Sequence, residues 1–276
     1  RYNYLREIKG DFLHMPSTYA HYRLGNDVKT SLTGKIKQLV EDNYESFALG
    51  LHGPDLLFYY KPLTNNRTNA IGYAIHERFA SLFFEMAGKV YSERGERAAD
   101  EAYLLGFLCH FALDSEGHPV VNAEMKAKNL SHTEIESAFD RYLLLKDGKQ
   151  PLGTDLTAHI HANESTADIA AAYFGVDRGK AKKALKSIKF YNGLLNSASK
   201  IKRAFVTAAL KISGMWNIMH GMMMPTDIEE KWKDGIAGLE NAYAAAVQKA
   251  VRLIENYDGY LAGECALSAE LERDFE

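Results

Sequence analysis

The stretch that decides the reading is CHFALDSEGHPVV, residues 109–121. With the preceding YLLGFL it forms an apolar run of helical character, in which Cys109, Phe111, Ala112 and Leu113 belong in a core. His110, Asp114 and His118 interrupt that run at every fourth position. Side chains four apart on a helix are neighbours on one face, so His110 and Asp114 can converge on a single point. Gly117 and Pro119 predict a helix end around His118, which would let that ring turn inward from the terminus. A lone buried His–Asp pair has an ordinary explanation as a hydrogen-bonded structural pair. Here the pattern recurs.

LSHTEIESAF supplies His132 and Glu136, again four apart, at the start of a predicted helix. GYAIHERFA sets His76 among the apolar positions of its own helix, where a core histidine donating to a carbonyl is the plain alternative. LHGPDLLFYY places Asp55 after a Gly-Pro turn, and a helix N-cap would account for it equally. MPSTYAHYRLG adds His21 ahead of the first clear helix, residues 28–42. Five histidines, two aspartates and one glutamate therefore fall in five segments of the first half of the chain. Burying so many ionisable groups without a cation is expensive, because each needs its own partner. Imidazole and carboxylate without thiolate suit zinc in a hydrolytic site, and eight such groups suit two or three ions rather than one. Metal pairs generate hydroxide near neutral pH and clamp a phosphoryl group during displacement.

The rest of the chain frames that cluster. Of 276 residues, 46% are hydrophobic and 25% charged, and the net charge of −3 gives no electrostatic reason for a stable nucleic-acid partner. Helical periodicity continues over 68–91, 97–116, 132–145, 165–174, 178–213 and 226–260, and alternating β-type runs are scarce. The expected fold class is an all-α bundle in one domain over 1–276, with residues 1–14 reading as an extension ahead of Met15-Pro16. Cys109 and Cys265 follow no CxxC pattern and give no disulfide framework. Neither a signal-type apolar region near Arg1 nor an apolar run of the about 20 residues a membrane span needs is present, so the expected localisation is cytoplasmic. MWNIMHGMMMP, 215–225, is an adaptable apolar segment that either packs on the core or serves as a substrate lid or lipid contact. His159 and His161 in TAHIHANES read as a surface loop, whereas His52 lies close enough to Asp55 to orient it or a substrate phosphate.

In order and spacing, Asp55, His76, HFALD with His118, and HTEIE resemble the zinc-dependent phospholipase C family, which shares its fold with the S1/P1 nucleases. The resemblance covers residues 16–140 and implies a multi-helix bundle around a three-zinc cluster. It implies that Asp55, His76, His110 and Asp114 surround one zinc and that His118, His132 and Glu136 hold a second. Asp114 would bridge to a third ion shared with His21, and Asp55 would be the general base. The function it implies is hydrolysis of a phosphodiester, from a phospholipid or a smaller molecule, by zinc-bound hydroxide attacking phosphorus. Transient contact with a membrane surface would accompany a phospholipid substrate.

Two features depart from the family pattern. Secreted members complete the third site with an N-terminal tryptophan, but this sequence begins with Arg1 and has no tryptophan before Trp216. Pro16, exposed by removal of Met15, would supply a terminal amine instead. Choline-specific members also build an aromatic cage beside the cluster. Tyr73, three residues before His76, is the candidate for that wall, but Leu56 stands where a second aromatic is expected. An S1/P1-like nuclease or nucleotidase, which would want base-stacking aromatics, remains an alternative. So does a non-catalytic helical metal-binding module, whose site would be closed by four protein ligands. A helical hydrolase of the His-Asp type is disfavoured, because no His-Asp dipeptide occurs.

Overall fold

The run quoted above becomes the centre of the longest helix. In the computed structural model, which describes residues 17–276 apart from the side chains of 217 and 218, twelve α-helices follow one another and no strand forms among the described residues. They are α1 Thr18–Ser31, α2 Gly34–Asp42, α3 Tyr44–Gly50, α4 Arg67–His76, α5 Ala80–Glu93, α6 Ala98–Lys128, α7 His132–Lys146, α8 Glu164–Phe174, α9 Arg178–Leu195, α10 Lys200–Ile212, α11 Trp216–Met219 and α12 Lys233–Leu261. A 3₁₀ helix, Gly53–Tyr59, carries Asp55. Met15 and Pro16, and with them the expected amine ligand, lie outside the described residues. No helix among the described residues is long and apolar enough to cross a membrane.

The 31-residue α6 is about 46 Å long and is the axis on which α3, α12 and α1 pack. Asp100 and Glu101 in its first turn and Lys126 and Lys128 in its last complement the helix dipole. Asn129 closes it in the left-handed region, donating its backbone N–H to Met125 O. The expected stop at Gly117 and Pro119 does not occur; His118 sits within the helix, not at its end. Proline has no N–H to give the carbonyl four residues back. The structure resolves that loss from a distance, because Arg273 Nη2 donates to Ser115 O at 2.7 Å.

Other boundaries also shift. The first helix begins ten residues earlier than expected and contains His21, while the 28–42 pattern is split between α1 and α2 by Gly34 at φ +57°. The 68–91 pattern is two helices, broken at residues 77–79, and the turn leaves Phe79 and Leu82 more than half exposed rather than in the core. Helices α3 and α6 meet through glycines. A Cβ on Gly50 would lie 2.1 Å from Tyr103 O, and one on Gly106 would lie 2.1 Å from Phe47 O. That close crossing brings the 3₁₀ helix, and Asp55 with it, over His110. The Met-rich segment packs on the core: Met219 and Met224 are buried, and Gly221 presses against Thr133 at the start of α7.

Candidate metal centre

Four of the expected ligands meet around Asp114. Its Oδ2 lies 2.9 Å from His110 Nε2 and 3.6 Å from His76 Nε2, and its Oδ1 lies 3.2 Å from His21 Nε2. Asp55 joins from the 3₁₀ helix, with Oδ1 3.0 Å from His76 Nε2 and Oδ2 3.7 Å from His110 Nε2. One ligand atom from each of His21, Asp55, His110 and Asp114 falls within 4.8 Å of the others. His76 stands outside that set of four but reaches both carboxylates. One turn further along α6, His118 forms a second group with His132 and Glu136 from α7. Glu136 Oε1 is 3.0 Å from His132 Nε2 and 4.0 Å from His118 Nε2. Of these eight side chains, all but His132 are buried, and His132 is partly exposed.

Local structure fixes several rings in a ligating orientation. A carbonyl can only accept, so the Nδ1–H of His76 donates to Gly72 O at 2.9 Å and that of His118 donates to Phe275 O at 2.7 Å. Both rings therefore direct Nε2 toward the carboxylates. His21 stacks on His110 with ring centroids 4.5 Å apart. Gly53, at φ +43°, lets the backbone lie on the His110 ring; a Cβ there would come 2.2 Å from Cδ2. Asp140 of α7 anchors the start of α1 by accepting the backbone N–H groups of Thr18, Tyr19 and Ala20 at 3.1, 3.0 and 2.7 Å, together with the Ser17 hydroxyl. These bonds fix the first turn of α1, in which His21 directly follows Ala20.

The electrostatics match a cation cradle. Burial pulls His76 down, but its bonds to Asp114 and Asp55 outweigh that and raise it well above the ordinary imidazole value. His21 and His132 are likewise raised against burial, by Asp114 and Glu136 respectively. Asp114 is held well below the usual carboxylate range by His110, His118 and His21, and Glu136 is lowered by His132, both against burial. His118 is lowered, chiefly by burial. Nδ1 of His110, Nδ1 of His21 and Oε2 of Glu136 are buried without a hydrogen-bond partner, and His110 Nε2 meets Asp114 without good hydrogen-bond geometry. Buried polar atoms are rarely left so, and a divalent ion would satisfy those that face the carboxylates. The nitrogen–oxygen donor set fits zinc.

His52 does not orient Asp55 through its ring. Its Nε2 faces His159 Nε2 at 2.7 Å, and only its backbone carbonyl touches Asp55, accepting that residue's N–H at 3.1 Å. His159 is not a free surface residue as its loop position suggested. It stacks on Tyr22 at 4.0 Å, and Lys189 of α9 pins its loop by donating to Thr157 O and Ile160 O. Burial and His159 hold His52 well below the ordinary value, and burial followed by Lys189 takes His159 down to about 3. Tyr73 reaches the centre through Phe58, whose ring lies 4.5 Å from Tyr73 and 5.4 Å from His76.

Sequence reasoning missed Asp140, Arg273 and Phe275, whose contacts join positions more than 100 residues apart and leave no local signal. Phe275 is fully buried, and its ring lies 5.3 Å from His76 and 6.0 Å from His110. No curated protein and no solved structure is significantly similar to the chain. The family described as zinc-dependent phospholipase C matches residues 20–213, well over half of the chain and a range that contains every candidate ligand above. The all-α fold and the two buried histidine–carboxylate groups agree with that match, and the chain belongs to the zinc-dependent phospholipase C family.

Proposed function

We propose that the protein is a zinc-dependent phosphodiester hydrolase of the phospholipase C type, with two or three ions held by the eight residues described and a phospholipid headgroup ester as its substrate class. The observation that carries the reading is the buried meeting of Asp55, His76, His110 and Asp114, on elements within the stretch that matches the family. Zinc bound there would lower the pKa of a coordinated water and neutralise charge developing on phosphorus.

The chain's own residues have separable roles in this reading. Asp114 is the shared carboxylate, with one oxygen toward His21 and the other toward His110 and His76. The Gly72 and Phe275 carbonyls hold His76 and His118 in the Nδ1–H tautomer and keep Nε2 available. Asp55 accepts the proton of the attacking water at a carboxylate oxygen. Tyr73 and Phe58 form an aromatic wall beside His76 that suits an apolar or cationic headgroup.

The test pairs metal content with turnover. Elemental mass spectrometry of untagged protein should find two or three zinc ions per chain. Asp55→Asn should retain most of that metal while losing at least 100-fold in hydrolysis of phospholipid, in line with removal of a general base. Full metal loading with no hydrolysis of any phosphodiester by the unsubstituted protein would instead make the cluster structural.

A further inference from the structure

The chain's charges are unevenly distributed. Ten of its 33 Lys and Arg residues, and none of its 36 Asp and Glu residues, lie between 178 and 226. This segment comprises α9, α10, α11 and the Met-rich strap, on a protein whose net charge is −3. Helix α9 packs on the 3₁₀ helix that carries Asp55, so the basic region borders the metal centre.

Within that region α10 is oriented contrary to an ordinary surface helix. Ile201, Phe205 and Ile212 are 84%, 74% and 87% exposed, and with Ala208 they recur at spacings of four, three and four. At 3.6 residues per turn these positions form one stripe. The stripe faces away from the protein, because the inward side is formed by Arg203, Val206 and Leu210, and Val206 is the one buried residue of the helix. Lys202 lies about a quarter-turn to one side of the stripe, and Lys200 and Lys211 lie about as far to the other. Ser199 caps the N-terminus, so this outward apolar face belongs to a well-formed helix.

We propose that α10 is a docking helix for an anionic lipid bilayer. It would lie in the plane of the interface, with Ile201, Phe205 and Ile212 among the acyl chains and its flanking lysines at the phosphate level. An apolar stripe bordered by lysines that can reach up to the headgroups is the arrangement of an interfacial helix. The basic segment behind it, of whose cations Glu164 of α8 pairs with only Arg178 and Lys182, supplies attraction to anionic lipid. A nucleic acid would use the lysines but would give no role to three aliphatic and aromatic side chains standing in water. The proposal concerns binding, not turnover, and holds whether or not the metal centre hydrolyses the lipid that is bound.

Co-sedimentation of the full chain with vesicles tests it. The protein should partition onto phosphatidylcholine–phosphatidylserine vesicles, bind pure phosphatidylcholine far less, and lose the preference in high salt. Lys200→Gln with Lys211→Gln should weaken partitioning roughly 25-fold, at about a fivefold loss for each lysine. Ile201→Ser with Phe205→Ser should weaken it about tenfold or more. These side chains are mostly solvent-exposed, so circular dichroism and zinc content should match the unsubstituted protein. Hydrolysis of a soluble phosphodiester, read in parallel, separates failure of docking from failure of the hydrolytic assignment. Absence of binding to anionic vesicles at low salt would overturn the proposal, as would binding indifferent to the serine pair. So would dimerisation abolished by that pair, or oligonucleotide binding that leaves vesicles unbound.

Discussion

Phe275→Ala is the substitution that tests most directly how the metal centre is held. The Phe275 ring is completely buried against His76, His110 and Phe111, its N–H donates to His76 O at 3.2 Å, and its carbonyl accepts from His118 Nδ1. One residue thus wedges between candidate ligands of the first group and orients a candidate ligand of the second. Truncating a fully buried phenylalanine costs about 3–5 kcal/mol through lost transfer energy and the cavity left behind. Urea unfolding of metal-free protein should register that loss. The same change removes the anchor that keeps the Phe275 carbonyl on His118, and loss of such an orienting partner typically lowers metal affinity about 10–100-fold. Competition against a chromophoric chelator should therefore resolve one weakened zinc. Phe275→Leu retains most of the volume and should stay within about 1.5 kcal/mol of the unsubstituted protein, with near-normal zinc binding. The reasoning fails if the alanine variant keeps both its stability and its zinc affinity, because the wedge would then be incidental to the ligands it touches.

Two further outcomes follow from the same geometry. Asp140→Ala removes the acceptor for three backbone N–H groups and the Ser17 hydroxyl at the start of α1, and should destabilise the protein by about 3 kcal/mol in urea unfolding; the His21-containing group should lose zinc more readily, and an unchanged midpoint and metal affinity would refute this account. Chelated protein should be most stable near pH 6.5, the unfolded imidazole value. Above it, His21, His76 and His132 keep protons that the unfolded chain has lost, so their contribution declines as pH rises through their raised values. Below it, the unfolded chain takes up protons that His52, His118 and His159 refuse, so stability falls with pH on that side. Zinc loading should abolish the alkaline decline, because liganded imidazoles are already neutral; thermal melts across pH with and without chelator would check both limbs.

That the candidate ligands would come together was readable from sequence where a helix makes their geometry local. His110 with Asp114, and His132 with Glu136, are spaced at four residues, and any helix through them sets both groups on one face. The elements that arrange those faces were not readable. Glycine and proline at 117 and 119 signal a stop, and the helix continues only because Arg273, 158 residues from Ser115, takes the freed carbonyl. His52 pairs with a histidine 107 residues away, so its proximity to Asp55 in sequence was misleading about its ring. The acid-free segment from 178 to 226 is a different kind of omission. It is plain in the sequence, but a whole-chain charge of −3 conceals it, and only the exposure of Ile201, Phe205 and Ile212 gives the charge a direction.

The anchors of the ligating rings explain why a match ending at residue 213 still leaves the site incomplete. His76 donates to a carbonyl in its own helix, four residues back, so its orientation comes with the helix. His118 instead takes its acceptor from Phe275, 157 residues away in sequence. The segment that brings Phe275 also brings Arg273, which repairs the ladder one turn away, and its Arg273 carbonyl accepts the Ala80 N–H at the start of α5. Four hydrogen bonds thus tie residues 273–275 to α5, α6 and His76 around the candidate metal centre. The second ligand group is therefore built by the fold of the whole described chain, and its affinity for zinc should be the property most sensitive to changes in that segment.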